Sequence, residues 1–223
     1  MIPQATWWRE VSGTPAPTNP LLVLALHDDN DAVSVLDHDH IRGWLDRDTP
    51  TRRVAQSLGV PIFVADSGPV PEGHDLLLLG AVGRGLTTLA AALAVSYFDA
   101  EPQQVVGYGS GITDLQWMAK VRDVRDRQLD QIPSPVAQLT AVLEAAQVPV
   151  LLDGVTAAAA ACMAQRVPAV QAPMLGDEPV QQLLLDRAEV PVWGGLGIGP
   201  GEGLGALSGL AVLRIALLAA DQD

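Results

Sequence analysis

Short apolar runs alternate along the chain with longer amphipathic or alanine-rich segments. The short runs predict buried strands at residues 21–26, 60–65, 76–79, 104–106, 148–153, 168–172 and 190–193. The longer segments predict helices at residues 39–58 (interrupted at Pro50), 89–98, 114–129, 136–147, 155–165, 177–187, and after residue 205 to about 219. Because parallel strands need crossover connections, this alternation predicts an α/β fold: a doubly wound, mostly parallel, Rossmann-like sheet with helices on both faces.

The first 20 residues differ from the rest of the chain. They are rich in Pro, Thr and Trp and lack periodicity, so residues 1–20 are interpreted as an irregular N-terminal arm. Residues 21–223 are predicted to form a single α/β domain, a size that one hydrophobic core can hold.

Composition narrows the class of protein. The net charge of −13 argues against binding to nucleic acid or to an anionic membrane surface, although backbone amides can hold a phosphate inside an acidic protein. No apolar run reaches the about 18 residues that a membrane span needs, and residues 1–8 do not resemble a secretory signal. Cys162, the only cysteine, lies in an alanine run where a buried, inert thiol is expected. We therefore expect a soluble, cytoplasmic protein.

Three glycine loops follow predicted strands and are candidate anion sites. Glycine lets the backbone approach a ligand, and the amides at a helix start favour phosphate. For any single loop, a tight turn without a ligand explains the glycines equally well. The candidate binding residues are Gly83, Gly85, Thr87 and Thr88 in the first loop, Gly109 and Gly111 in the second, and Gly201 and Gly203 in the third.

The third loop carries one carboxylate, that of Glu202, between Gly201 and Gly203 at a predicted helix start. The helix N-terminus lowers the pKa of such a carboxylate, whereas burial in a substrate-filled cleft raises it. Glu202 could then accept a proton from a bound heterocycle, which makes it the candidate catalytic residue. The alternative is an acid with a purely structural place at the helix start.

Other patterns are weaker. The first two loops lack the closing Gly-Lys-Ser/Thr of nucleotide triphosphatases, and no acidic residue follows at the spacing of dinucleotide-binding proteins. Residues 28–29 form an acidic pair after a strand, but the phosphate loop expected right after such a pair is missing. Residues 37–40 alternate Asp and His; since consecutive residues rarely converge on one ion, we favour a solvated turn and predict no metal site.

Four segments, in this order, resemble the signatures of the nicotinate-nucleotide–dimethylbenzimidazole phosphoribosyltransferases of cobalamin biosynthesis. Residues 80–88 match the family's Gly-Glu-Met-Gly-Ile-Gly-Asn-Thr-Thr. Residues 105–114 match Val-Val-Gly-x-Gly-Thr-Gly-x-x-Asp, and Lys120, the only lysine, stands where the family has its active-site lysine. Residues 152–158 match an Asp-Gly turn before an alanine-rich helix, and residues 200–207 (Pro-Gly-Glu-Gly-Leu-Gly-Ala-Leu) resemble Leu-Gly-Glu-Gly-Thr-Gly-Ala-Ala-Leu, which is one residue longer. The resemblance covers about residues 20–219.

The resemblance implies transfer of phosphoribose from nicotinate mononucleotide to 5,6-dimethylbenzimidazole without a metal or external cofactor. Glu202 would be the base, and the glycine amides with Lys120 would hold the phosphate. The partners implied are a small nucleotide, an aromatic base and a second copy of the chain in a homodimer.

The chain also departs from the family pattern. Ala81 replaces the second acidic residue of the family site, and Leu86 replaces the loop asparagine. Residues 173–179 lack the histidines of the family's Ser-His-x-Ser-x-Glu-Pro-Gly-His segment, and the chain is shorter on its N-terminal side. Two alternatives therefore stay open: a non-catalytic homologue that binds a nucleotide or base or partners an intact enzyme, and an unrelated Rossmann-like nucleotide enzyme.

Overall fold

Five parallel strands form one sheet at the centre of the chain. The computed structural model describes residues 2–29, 41, 43–66, 68–109, 111–195 and 201–220. The strands follow the order β2-β1-β3-β4-β5. They are β1 (Pro20–Asp28), β2 (Ile62–Val64), β3 (Leu76–Arg84), β4 (Val150–Leu152) and β5 (Val170–Gln171). A parallel bridge between Ala172 and Val192 lies beyond β5.

Helices cover both faces of this sheet, which confirms the predicted doubly wound α/β fold. One face packs against α1 (Pro3–Ser12), α2 (Pro50–Leu58) and α9 (Leu204–Ala220). The other packs against α3 (Leu86–Phe98), α4 (Pro102–Val105), α5 (Asp114–Asp126), α6 (Ser134–Ala145), α7 (Gly154–Met163) and α8 (Pro179–Arg187). Within the described ranges, no helix is long and apolar enough to cross a membrane.

The two central strands show why the chain folds this way. Successive side chains of a strand point to opposite faces. In β1, Leu21 and Val23 therefore join the core under α6, whereas Leu22 and Leu24 join the core under α9. Because both faces are covered, both sets are apolar, and the strand reads as a continuous hydrophobic run.

The expectation of an irregular arm at residues 1–20 is wrong for its first half, which forms α1. Pro3 occupies the first turn, where its missing N–H is not needed. Trp8 is fully buried against the α9 face of the core, and its indole N–H donates to the Thr14 carbonyl over 2.9 Å. Only Ala5 and Trp8 are buried in this helix, so its sequence carries too few apolar positions to show a period.

Two predicted strands are also corrected. Residues 104–106 lie at the end of the one-turn helix α4, which begins at Pro102; Val105 and Val106 are buried without joining the sheet. Residues 190–193 contribute only the bridge at Val192.

Two predicted boundaries also differ from those in the structure. Pro50 begins α2 rather than interrupting a helix, since the Thr49 side chain caps the Arg52 amide in front of it. Strand β3 continues through the first glycine loop to Arg84, paired with β1.

We expect Trp8→Ala to lower the free energy of unfolding by about 3–5 kcal/mol, because it empties a buried site and removes the hydrogen bond to Thr14. Val11→Ala, on the exposed side of the same helix, should change it by less than about 0.5 kcal/mol. Urea unfolding of both variants measures the difference. Equal, small effects would show that α1 is not part of the core.

Candidate active site at the carboxyl edge of the sheet

The loop before α9 lies directly on strand β3. A side chain at Gly80 would come within 2.7 Å of the Gly203 amide nitrogen, so the two backbones touch. The Glu202 amide donates to the Ala81 carbonyl over 3.2 Å. The structure therefore brings the start of the first predicted loop and the third loop together, at the edge where ligands bind in open α/β sheets.

Glu202 is held in an unusual backbone conformation. Its φ of 55° lies in the left-handed region, between Gly201 at 108° and Gly203 at 83°. A left-handed conformation costs free energy for a residue other than glycine and persists only where its surroundings impose it. The residue is partly buried, so the loop displays one carboxylate at a restrained position. Gly199 and Pro200 of the same loop lie outside the described residues.

Asp153, which was not among the predicted site residues, lies beneath this loop. Its carboxylate accepts a hydrogen bond from the Gly201 amide over 3.4 Å, the amides of Gly203 and Gly205 act on it as well, and the residue is 1% exposed. Burial raises the pKa of Asp153 to about 6; the three amides oppose this rise, and the charge of Glu202 adds to it. In the sequence, Asp153 could be recognised as an acid at the carboxyl end of a buried strand, before an alanine-rich helix.

The first loop forms the start of α3. Gly85, at a φ of 72°, precedes the helix, and the first-turn amides of a helix of this length favour an anion. Thr87 is partly exposed on that turn, whereas Thr88 is buried. Gly83 lies within β3, where a side chain would collide with the His27 carbonyl of the neighbouring strand.

The second loop is bound to a buried ion pair. The Lys120 ammonium lies 3.0 Å from the Glu178 Oε1 atom and 3.5 Å from the Gly107 carbonyl oxygen, while the Gly107 amide donates to Glu178 Oε2. Gly109 and Gly111, at φ values of 51° and 89°, continue the loop. Glu178 was also missed, although an acid before a helix-starting proline was visible in the sequence.

Residues 173–181 connect the second and third loops. The Gln181 side chain makes both bonds: its Nε2 group donates to the Met174 carbonyl, and its Oε1 atom accepts the Gly176 amide. Met174 packs 3.5 Å from the Cβ position of Gly205, and Glu178 binds the second loop. One short segment thus contacts both loops.

The acidic pair that follows β1 belongs to a charged network. Arg127 bridges Asp29 at 2.7 Å and Asp123 at 3.0 Å, and Arg84 lies 3.9 Å from Asp28. Burial lowers the pKa of the neighbouring His27. In the described part of the chain, no cluster of three or more His, Cys, Asp or Glu side chains could hold a metal ion, and residues 37–40 lie outside it.

Comparison with known proteins identifies the class. The structure is a doubly wound sheet with glycine loops at its carboxyl edge. The family model described as phosphoribosyltransferase matches residues 51–222, and this match identifies the class of protein. A relative from Mycobacterium tuberculosis, named nicotinate-nucleotide–dimethylbenzimidazole phosphoribosyltransferase, is 40% identical over 172 residues, covering 67% of this chain and 48% of that protein. One of the same name from Corynebacterium efficiens is 37% identical over 186 residues, covering 74% and 50%.

The chain belongs to the nicotinate-nucleotide–dimethylbenzimidazole phosphoribosyltransferase family. It spans about half the length of the curated relatives it matches. The crystal structure of CobT from Thermus thermophilus has the same fold, with a TM-score of 0.80 at 19% identity, covering 97% of this chain and 88% of that one.

We expect the Lys120–Glu178 pair to stabilise the second loop strongly. The two side chains are 5% and 9% exposed, so Glu178→Gln, which leaves the ammonium buried without its counter-charge, should lower the free energy of unfolding by about 3–5 kcal/mol. The double variant Lys120→Met, Glu178→Gln should lose less than the two single variants together.

The matched control is the exposed pair Arg53–Asp48, whose side chains are 60% and 73% exposed. Asp48→Asn should change the free energy of unfolding by less than about 1 kcal/mol. Denaturant titration of all the variants measures these values. Additive losses at Lys120 and Glu178 would contradict a coupled, buried pair.

Proposed function

We propose that this protein transfers phosphoribose from nicotinate mononucleotide to a benzimidazole-type base, a step in assembling the lower ligand of cobalamin. The observation that carries the proposal is the loop of Glu202, held against β3 beside Ala81 with its carboxylate at the carboxyl edge of the sheet. Family membership supports the substrate class. As for the family, we propose a cytoplasmic homodimer.

The chemistry needs one base at this position. A nitrogen of the benzimidazole attacks ribose C1′ while the bond from C1′ to the pyridinium nitrogen breaks, and nicotinate leaves with that electron pair. Glu202 takes the proton from the other benzimidazole nitrogen as the first one attacks. Its negative charge also stabilises the oxocarbenium character that develops on the ribose.

The glycine loops supply the proposed phosphate site. The amides of the first turn of α3, with Gly83, Gly85, Thr87 and Thr88 as the proposed contacts, face the anion as helix N-termini do. Gly109, Gly111, Gly201 and Gly203 complete the proposed set. Lys120 adds positive charge beneath the second loop; because it is already paired with Glu178, its effect on a phosphate is reduced.

One observation favours a second candidate function. Ala81, whose carbonyl accepts the Glu202 amide, stands where the resemblance expects a second acidic residue. A site with one carboxylate could bind the nucleotide or base without turning it over. The protein would then be a binding homologue that partners or regulates an intact enzyme.

Glu202→Gln tests the first candidate. With nicotinate mononucleotide and dimethylbenzimidazole, the wild type should release nicotinate, and the variant should lose about 10²–10⁴-fold in kcat, since general base catalysis contributes that much. Chromatography of released nicotinate measures the rate. The matched control is Glu189→Gln, because Glu189 shares the left-handed backbone, at a φ of 53°, and is exposed away from the glycine loops.

A panel of bases separates the two candidates. Turnover with any benzimidazole-type base supports the transferase. Calorimetric binding of nicotinate mononucleotide without turnover across the panel would overturn it in favour of the binding homologue.

A further inference from the structure

We propose that Asp153 is the positioning residue of this site: its carboxylate holds the loop that carries Glu202 by accepting the Gly201 amide and lying against the backbone of Gly205. The kinetic part of this inference rests on the proposed transferase function. The structural part does not, because it concerns the loop alone.

The three amides belong to residues on both sides of Glu202 in the sequence. Gly201 and Gly203 are its direct neighbours; the Gly201 amide donates to the Asp153 carboxylate, and the amides of Gly203 and Gly205 lower the pKa of that group. A side chain at Gly205 would collide with Asp153 Oδ1, so the carboxylate lies against the backbone. Fixing the amides on both sides of Glu202 fixes its φ and hence the direction of its side chain.

Asp153 also lies where a helix cap is needed. The first amides of a helix have no partner within the helix, and a side-chain oxygen just before it normally accepts them. Gly203, which precedes α9, has no such oxygen. The Asp153 carboxylate, at the end of β4, lies against the Gly205 backbone of the first turn instead, so α9 and the Glu202 loop both contact the centre of the sheet.

The buried carboxylate of Asp153 does not give the fold its greatest stability. Asp153 is fully buried, and its Oδ2 atom has no hydrogen-bond partner among the described residues. Because burial raises its pKa from 3.8 to about 6, the folded protein binds a proton there more tightly than the unfolded chain. The stability from this group is therefore complete below about pH 4 and is lost as pH rises through about 6. A residue kept only for stability would not be a buried ionised acid.

The same titration should affect the loop. Ionised Asp153 is a strong acceptor for the Gly201 amide and attracts the amides of Gly203 and Gly205, whereas the protonated acid gives up part of that capacity to its own O–H group. Gly205 of α9 lies against the carboxylate and Met174 packs beside Gly205, and neither residue titrates. Glu202 is the charged group that acts on it within the described chain. Below about pH 6 the loop, and with it Glu202, should lose its fixed position.

The first test needs no variant and no turnover. In wild-type protein labelled with ¹⁵N-glycine, the amide resonances of Gly201, Gly203 and Gly205 should titrate together with a midpoint near pH 6, the pKa of the Asp153 carboxyl group on which all three act. The Gly13 amide, in an open turn away from the site, should not follow them. Resonances that stay constant from pH 4.5 to about 8 would overturn the proposal, whatever the activity.

Asp153→Asn gives the second test, with Asp130→Asn at an exposed position as the control. At about pH 7.5 the variant should melt at or above the wild-type temperature, yet lose at least about tenfold in kcat while its affinity for nicotinate mononucleotide stays within about threefold. The three glycine resonances should no longer titrate. A parallel loss of melting temperature and activity at every pH, with the titration intact, would overturn the positioning role. Titrating glycines in a protein without turnover would support Asp153 and contradict only the transferase.

Discussion

The structure depends on one close approach, between Gly80 in β3 and Gly203 in the loop before α9, where no side chain fits. This contact lets the Glu202 amide reach the Ala81 carbonyl and lets Asp153 reach three amides of the same loop. It also seats the apolar face of α9 on Leu22 and Leu24 of β1. A β-carbon at either glycine would separate the helix from the sheet and the candidate base from the site.

Two buried carboxylates hold two glycine loops in the same manner. Asp153 accepts the Gly201 amide of the third loop, and Glu178 accepts the Gly107 amide of the second while pairing with Lys120. A buried carboxylate is costly unless it is paired or hydrogen-bonded. Each carboxylate is hydrogen-bonded to the backbone of a glycine-rich loop, so these polar contacts order loops that bury few side chains. This explains how glycine-rich segments, which are otherwise conformationally free, can carry a defined site.

The sequence predicts the part of this picture that depends on local pattern. Apolar runs identified β1, β3 and β4, and the glycine motifs located the loops. Both are visible because burial requires apolar residues and an unusual backbone conformation requires glycine. Contacts between distant segments leave none: Asp153 was visible as an acid after a strand, but its three glycine partners are about 50 residues away, and the same holds for Glu178 and Lys120. Helix α1 and the α4 turn were missed because too few of their residues face the core to form a period.

The central claim is that the loops at the carboxyl edge form one nucleotide site. Its most direct test is a map of amide chemical-shift changes when nicotinate mononucleotide is titrated into the ¹⁵N-labelled protein. If these loops form one site, the largest chemical-shift changes should fall together on Gly85, Gly109, Gly111, Gly201 and Gly203 and follow one saturation curve. Changes confined to the groove between α2 and α9, lined by Arg53, Leu58 and Ser208, or the absence of any saturable change, would contradict it.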